Sequence, residues 1–170
     1  MANADKPAGF KVGYTKHGGP AALNRYYTSG TAAIYIGDVL MESTVTGHVK
    51  NIAASSEVPV GIAATYTAST ATTTEVLVYD DLVNTVFIGQ DSGTAFAGSS
   101  MTMDLYDLTV AVSTATQLSI MEVNSAGTTS ECVKLIDKVD RPDNAWGGNV
   151  DVYVEFVVNS FAHARTMSSS

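Results

Sequence analysis

The chain is poor in cysteine, with Cys132 as its single example among 170 residues, so an intrachain disulfide is excluded. A lone cysteine beside three scattered histidines (His17, His48 and His163) provides no zinc signature. The N-terminus lacks the apolar region of a signal peptide, and no stretch approaches 18 consecutive apolar residues. These absences predict a protein made in a reducing cytoplasm, without a transmembrane helix.

Charged residues are also scarce, at 15% of the chain against about 25% in an average globular protein. Small polar residues take their place, with 20 Thr and 16 Ser. Threonine is β-branched and fits a pleated surface, so this composition favours sheets with a neutral outer face. Such a face is easier to bury against a partner than a charged one, because burying an unpaired charge is costly.

The charges that are present are unevenly distributed along the chain. Residues 1–25 hold four basic residues and one acidic residue, giving +3, whereas the remainder holds five basic and 16 acidic residues, giving −11. Between residues 51 and 133 there is no Lys or Arg. An acidic body argues against binding to nucleic acid or to anionic membranes, both of which attract basic surfaces. A basic N-terminal arm that contacts an acidic protein neighbour is the simpler interpretation.

Short β-rich runs at roughly even spacing predict an all-β fold after this arm. Alternation of apolar and polar residues is clear at Val76 and Val78, and again at Val152, Val154 and Phe156. The predicted strands are residues 33–40, 45–52, 60–66, 74–79, 84–88, 117–123, 132–139 and 150–158. We expect a single antiparallel β-barrel or β-sandwich over residues 32–160. Residues 1–31 are predicted to be an irregular, extended basic arm, and residues 161–170 a C-terminal tail.

Residues 100–112 are the best candidate for a helix, with Met103, Leu105, Tyr106, Leu108 and Val110 as their larger residues. The same residues fit a strand equally well, and the sequence leaves both interpretations open. No internal repeat or linker indicates a second domain.

Catalytic and metal-binding patterns are weak. Cys132 lies in an apolar run and is expected to be a core residue rather than a nucleophile activated by a histidine. Residues 143–151 offer oxygen ligands around a glycine turn but lack the spacing of a calcium loop, and ordinary turn chemistry is favoured. Neither Gly18-Gly19-Pro20 nor Gly147-Gly148 follows a phosphate-loop pattern. Paired carboxylates could in principle act as acid and base or bind a hard cation, but no catalytic pattern accompanies them here. They cluster at Asp80, Asp81, Asp104, Asp107, Asp137, Asp140 and Asp143. We therefore expect no enzymatic activity, no cofactor and no bound metal.

Aromatic residues next to basic ones are the better candidates for function, because Trp, Tyr and Arg dominate protein–protein binding energies. Tyr26 and Tyr27 follow Arg25 directly, and either anchor the arm or begin the core. Trp146, the only tryptophan, is either an interface anchor or a residue that covers the edge of the core. The residues predicted to contact a partner are Lys6, Lys11, Lys16, Arg25, Tyr26, Tyr27 and Trp146.

Several stretches between residues 34 and 158 resemble small virion structural proteins of tailed bacteriophages, namely head decoration (cement) proteins. They are Ile36-Gly37-Asp38-Val39-Leu40, Gly47-His48-Val49-Lys50, Val60-Gly61-Ile62-Ala63, Val78-Tyr79-Asp80-Asp81, Val86-Phe87-Ile88-Gly89-Gln90-Asp91 and residues 135–147. The resemblance implies a β-barrel or β-tulip domain that clamps neighbouring capsid subunits from outside and carries no catalytic residues.

The expected partners are accordingly the major capsid protein and further copies of this chain, with a trimer favoured over a dimer on lattice symmetry. The expected location is the outer surface of the virion. Two other functional classes remain open from the sequence. One is another virion part, such as a head fibre base or a tail tube subunit, and the other is a carbohydrate-binding β module.

Overall fold

A computed structural model describes residues 3–28, 32–45, 47–69, 73–93, 96, 98, 102–112 and 116–157. These residues form eleven strands and no helix, which confirms the predicted all-β class. The strands are β1 (Lys11–Thr15), β2 (Asn24–Thr28), β3 (Val39–Glu42), β4 (His48–Asn51), β5 (Gly61–Ala63), β6 (Glu75–Tyr79), β7 (Thr85–Gln90), β8 (Leu105–Thr109), β9 (Glu122–Asn124), β10 (Val133–Lys138) and β11 (Asp151–Phe156).

The strands are arranged in two sheets. One is a six-stranded antiparallel sheet in the order β1-β7-β11-β10-β8-β9. The other is a closed five-stranded barrel in the order β2-β4-β3-β5-β6, in which β6 pairs with β2 to complete the ring. The β2–β4 pair is parallel, while the other pairs of the barrel are antiparallel. Closure removes the free edges from this barrel.

All eight predicted runs overlap an observed strand, β3 to β7 and β9 to β11. Residues 100–112 contain β8, so the strand interpretation of that region is correct. The buried positions follow the predicted alternation. Val76 and Val78 point into the barrel core, while Val152, Val154 and Phe156 point into the core of the larger sheet. The alternation of apolar and polar residues therefore predicts which face of each strand is buried, independently of how the strands pair.

The prediction of an irregular arm over residues 1–31 is wrong at two strands. Strand β1 forms one edge of the six-stranded sheet, and β2 is an integral strand of the barrel. The sequence did not predict these two strands, because each has only five residues and therefore shows little apolar periodicity. The glycine and proline residues around them also indicated irregular structure. Residues 161–170, predicted to be a C-terminal tail, lie outside the described residues.

Two apolar clusters form the interior. The smaller fills the barrel and includes Leu40, Val49 and Val78. The larger lies between the barrel and the six-stranded sheet, because it combines Val39 and Ile62 of the barrel with residues of the sheet. The barrel thus contributes one set of side chains to its own interior and another to the larger core.

Phe10 connects the N-terminal residues to the larger core. Its ring is 2% exposed and lies edge-on to Phe156, with 5.2 Å between the ring centroids. The preceding Gly9 has a φ of +64°, and a Cβ at this position would lie only 2.7 Å from the Gly37 carbonyl oxygen. Glycine is therefore required here, since any side chain would prevent the chain from passing close to Gly37 on its way to the core.

Candidate functional site

The four basic residues predicted to contact a partner do not share one environment. Lys6 and Lys11 are exposed. The Lys16 ammonium lies 2.9 Å from a carboxylate oxygen of Glu155 and donates a hydrogen bond to the Val83 carbonyl at 2.7 Å. Lys6 and Lys11 are thus better placed to meet a partner than Lys16.

Arg25 is also engaged within the chain. Its guanidinium lies 3.1 Å from a carboxylate oxygen of Glu75, which belongs to the neighbouring strand β6 of the barrel. Both side chains are largely exposed, so this ion pair contributes little to stability. Arg25 remains on the surface and can exchange its intrachain partner for an acidic group of another protein.

The adjacent tyrosines have different roles. The Tyr26 hydroxyl donates a hydrogen bond to Asp80 at 2.8 Å, and the ring packs against the barrel core. Burial, with the hydrogen bond and negative charge of Asp80, raises the pKa of Tyr26 to about 12. Tyr27, by contrast, is 46% exposed and its ring lies 6.3 Å from that of His48. Of these two adjacent tyrosines, Tyr27 is the one that presents a large aromatic surface to solvent.

Residues 11–27 expose two further large side chains that sequence reasoning missed. Tyr14 is 45% exposed and its ring packs edge-on against Tyr153, while Leu23 is also 45% exposed. The signal in the sequence was the presence of large apolar side chains in a segment otherwise rich in glycine and polar residues. We use the term N-terminal contact residues for Lys6, Lys11, Tyr14, Leu23, Arg25 and Tyr27.

Trp146 packs partly against the larger core rather than standing free in solvent. Its loop is held by Asn144, which donates hydrogen bonds to the carbonyls of Val139 at 2.7 Å and Asp151 at 2.8 Å. The Asn144 side-chain oxygen accepts from the Asp151 amide at 2.9 Å. Trp146 therefore covers an edge of the core in this structure.

The carboxylates of Asp143 and Asp151, two of the oxygen ligands that the sequence offers, are engaged by neighbouring residues. The guanidinium of Arg141 pairs with the carboxylates of both Asp143 and Asp151. The other Asp151 carboxylate oxygen accepts a hydrogen bond from Gln90 at 3.3 Å. Within the described ranges, no group of three or more His, Cys, Asp or Glu side chains is arranged to hold a metal ion.

The paired carboxylates Asp80 and Asp81 stabilise local structure. Asp80 accepts hydrogen bonds from the Asn24 amide at 2.9 and 3.0 Å, in addition to the one from Tyr26. Asp81 accepts from both the backbone and the side chain of Asn84 in the turn before β7. Each carboxylate thus fixes a neighbouring element.

Asp107 on β8 organises the loop that follows β9. Its two carboxylate oxygens accept backbone hydrogen bonds from Thr129 at 3.2 Å, Ser130 at 2.7 Å and Glu131 at 2.8 Å. Gly127 packs against the Asp107 side chain, where a Cβ would lie 2.8 Å from it. Three donors that converge on one buried carboxylate make this a structural site.

Cys132 is buried in the larger core, as the sequence predicted. Burial, together with the negative charge of Asp107, raises the pKa of its thiol to about 11, so the thiol is protonated at neutral pH. His17 contacts Asn84, and His48 lies near Tyr27. His163 lies outside the described residues.

Comparison with known proteins identified no matching family model, no matching curated protein and no matching solved structure. Among the residues with described positions, no helix is long and apolar enough to cross a membrane. The function is therefore inferred from the surface chemistry of the chain and from the resemblance of its sequence to head decoration proteins.

Proposed function

We propose that this chain is a capsid decoration protein, which binds the outside of a bacteriophage head and stabilises contacts between major capsid subunits. Alternative roles within a virion differ in assembly behaviour, and the same experiment separates them. The observation that carries the proposal is the set of N-terminal contact residues, which combine exposed aromatic, apolar and basic side chains on an otherwise acidic chain.

The chemistry of these residues suits a protein partner. Tyr14 and Tyr27 each bring a large surface with few rotatable bonds, so burying them against a partner costs little conformational entropy. Lys11 and Arg25 favour an acidic surface on that partner through electrostatic complementarity. Because β1 and β2 are hydrogen-bonded strands of two sheets, the backbone that carries these side chains is ordered before binding.

The resemblance to head decoration proteins supports the proposal in a different way. Its stretches coincide with β3, β4, β5, β6, β7 and β10, which are framework strands of both sheets. These strands account for a common scaffold, whereas the N-terminal contact residues lie outside the resemblance. We infer that the scaffold is shared and that the surface which selects the partner is particular to this chain.

Binding to expanded heads that lack a decoration protein tests the proposal directly. The purified chain should co-sediment with such heads at a saturable stoichiometry. Deleting residues 1–27 is not a useful variant, because it removes β1 and most of β2 and would disrupt both sheets. Point variants that keep the fold are needed instead.

The informative variant is Lys6→Glu combined with Lys11→Glu, which reverses two exposed charges. We expect about tenfold weaker binding to heads, since two surface contacts together contribute on the order of 1.4 kcal/mol. Lys138→Glu is the matched control, because Lys138 lies on β10, separated from β1 by two strands. Equal loss in the control would contradict the assigned contact surface.

A failure of the unmodified chain to bind heads would overturn the decoration role itself. Self-assembly into rings or filaments would then favour a tail tube subunit. Binding to immobilised glycans without binding to heads would favour a carbohydrate-binding module.

A further inference from the structure

Residues 3–9 form a segment that is held on the six-stranded sheet by side-chain amides. Asn3 donates hydrogen bonds to the carbonyls of Ala145 at 2.8 Å and Gly148 at 3.0 Å, and accepts one from the Ala145 amide at 3.0 Å. Gln90, the last residue of β7, donates to the Ala4 carbonyl at 3.1 Å and accepts from the Lys6 amide at 2.8 Å. The segment is thus fixed on both sides of Asp5.

Asp5 is fixed next to two further carboxylates. Asp91 follows Gln90 directly and is fully buried. It forms a bridge with Val123 of β9, the residue after Glu122. One carboxylate oxygen of Glu122 is buried without a hydrogen-bond partner among the described residues. Asp5, Asp91 and Glu122 therefore lie near one another where residues 3–9 cross the ends of β7 and β9.

We propose that docking of residues 3–9 is linked to a proton held by the cluster of Asp5, Asp91 and Glu122, so that the segment loosens as the pH rises towards neutrality. This inference does not depend on the decoration role. The geometry gives its reason: docking brings the Asp5 charge towards Glu122, one of whose carboxylate oxygens is buried without a hydrogen-bond partner among the described residues, and a proton on Glu122 relieves the repulsion.

The electrostatics of Glu122 support this linkage. Burial, followed by the charges of Asp5 and Asp91, raises the pKa of Glu122 to about 7 from an ordinary value of 4.5. When the segment leaves, the Asp5 charge is removed from the site, and the pKa of Glu122 falls. The docked state therefore binds the proton more tightly than the free state.

The direction of the effect follows from the higher pKa of Glu122 in the docked state. Docking is strongest at acidic pH, where Glu122 is protonated in both states, and it weakens as the pH rises towards 7. Above about pH 7 it levels off at its weakest value. The upper limit is tenfold per pH unit, which applies to one proton.

Other charged groups near the cluster do not reverse this direction. Lys6 follows Asp5 and is exposed, and Thr109, opposite Glu122 on β8, is neutral. Asp151 of β11, which also contacts Gln90, is paired with Arg141. The charged groups of the cluster are thus carboxylates alone.

Hydrogen exchange of the Lys6 amide measures docking, because this amide donates to Gln90 only when the segment is bound. In the full chain, its protection factor, corrected for intrinsic exchange, should fall by up to tenfold per unit between pH 5 and 7. The fluorescence of Trp146, adjacent to Ala145, provides a second readout of the same step.

Glu122→Gln is the decisive variant, since it keeps the size of the side chain and removes its charge. We expect strong Lys6 protection that no longer depends on pH in this window. Glu42→Gln is the matched control, because Glu42 is exposed on β3 of the barrel. It should retain the full dependence. Circular dichroism and urea unfolding of both variants verify that they are folded.

Two results would overturn the proposal. One is an unchanged pH dependence in Glu122→Gln, which would assign the effect to other groups such as His17 or His48. The other is a Lys6 amide without protection at any pH, which would show that residues 3–9 do not dock.

Discussion

Replacement of Phe10 provides the most direct test of whether the N-terminal residues are part of the folded core. The ring is almost fully buried and packs edge-on against Phe156. A change of a buried Phe to Ala typically costs about 3–5 kcal/mol through lost burial and the resulting cavity. We therefore expect Phe10→Ala to lower the free energy of unfolding by about this amount.

Gly89 on β7 allows the same contact to be examined from the opposite side. A Cβ added at Gly89 would overlap the Phe10 ring, and would lie 2.9 Å from its Cδ1 atom. Overpacking of this kind costs about 1–3 kcal/mol, so Gly89→Ala should also destabilise the chain. In the double variant the new methyl group occupies space that the ring has left, so the clash disappears.

The double-mutant cycle therefore has a defined sign. The double variant should be no less stable than Phe10→Ala, within about 0.5 kcal/mol, whereas independent effects would add. The coupling energy should be about 1–3 kcal/mol. Urea unfolding followed by circular dichroism measures all four proteins, provided that the m-value stays constant.

Val83→Ala serves as the control, because Val83 is 62% exposed and its truncation should change stability by less than about 0.5 kcal/mol. Additive effects of Phe10→Ala and Gly89→Ala would refute the contact between the ring and β7. A Phe10→Ala variant that loses less than about 1 kcal/mol would refute the burial of the N-terminal residues altogether.

Two further predictions concern buried groups of the larger sheet. Asp107→Ala leaves three backbone donors without their acceptor, so it should lower the free energy of unfolding in urea by about 2–3 kcal/mol. Asp104→Ala is the control and should change this free energy little, because Asp104 is exposed. Equal effects of the two variants would contradict the role of Asp107. The thiol of Cys132, with its pKa raised to about 11, should react with a thiol-specific disulfide reagent at pH 8 only after the chain unfolds, and rapid reaction in the native state would disprove its burial.

The local pattern of the sequence was sufficient to locate most strands. In β11, the residues that face the core and those that face outwards alternate without interruption, so the strand and its buried face can both be read from consecutive residues. The apolar run that contains Cys132 likewise indicated a core position. These features depend on neighbours in the chain, and sequence patterns record such neighbours well.

The candidate site was predicted less completely. Tyr27 and Lys11 lie on the surface as the partner role requires, but Tyr26 and Trp146 pack against the cores. Adjacent residues of a strand face opposite sides of a sheet, so a Tyr-Tyr pair in the sequence places one ring inside and one outside. The choice between them depends on the register of β2 with β6, which the chain does not encode locally.

The sequence alone determined an acidic all-β chain with short alternating strands, because composition and period-two alternation are local properties. Only the tertiary structure decided that the N-terminal residues join both sheets, and that Asn3 binds a loop 142 residues away. It also decided that Asp91 pairs with Val123, the neighbour of Glu122, and that residues 3–9 bind Gln90 beside them. Contacts between distant residues depend on how strands pair, and strand pairing is set by the packing of the whole chain rather than by any one segment.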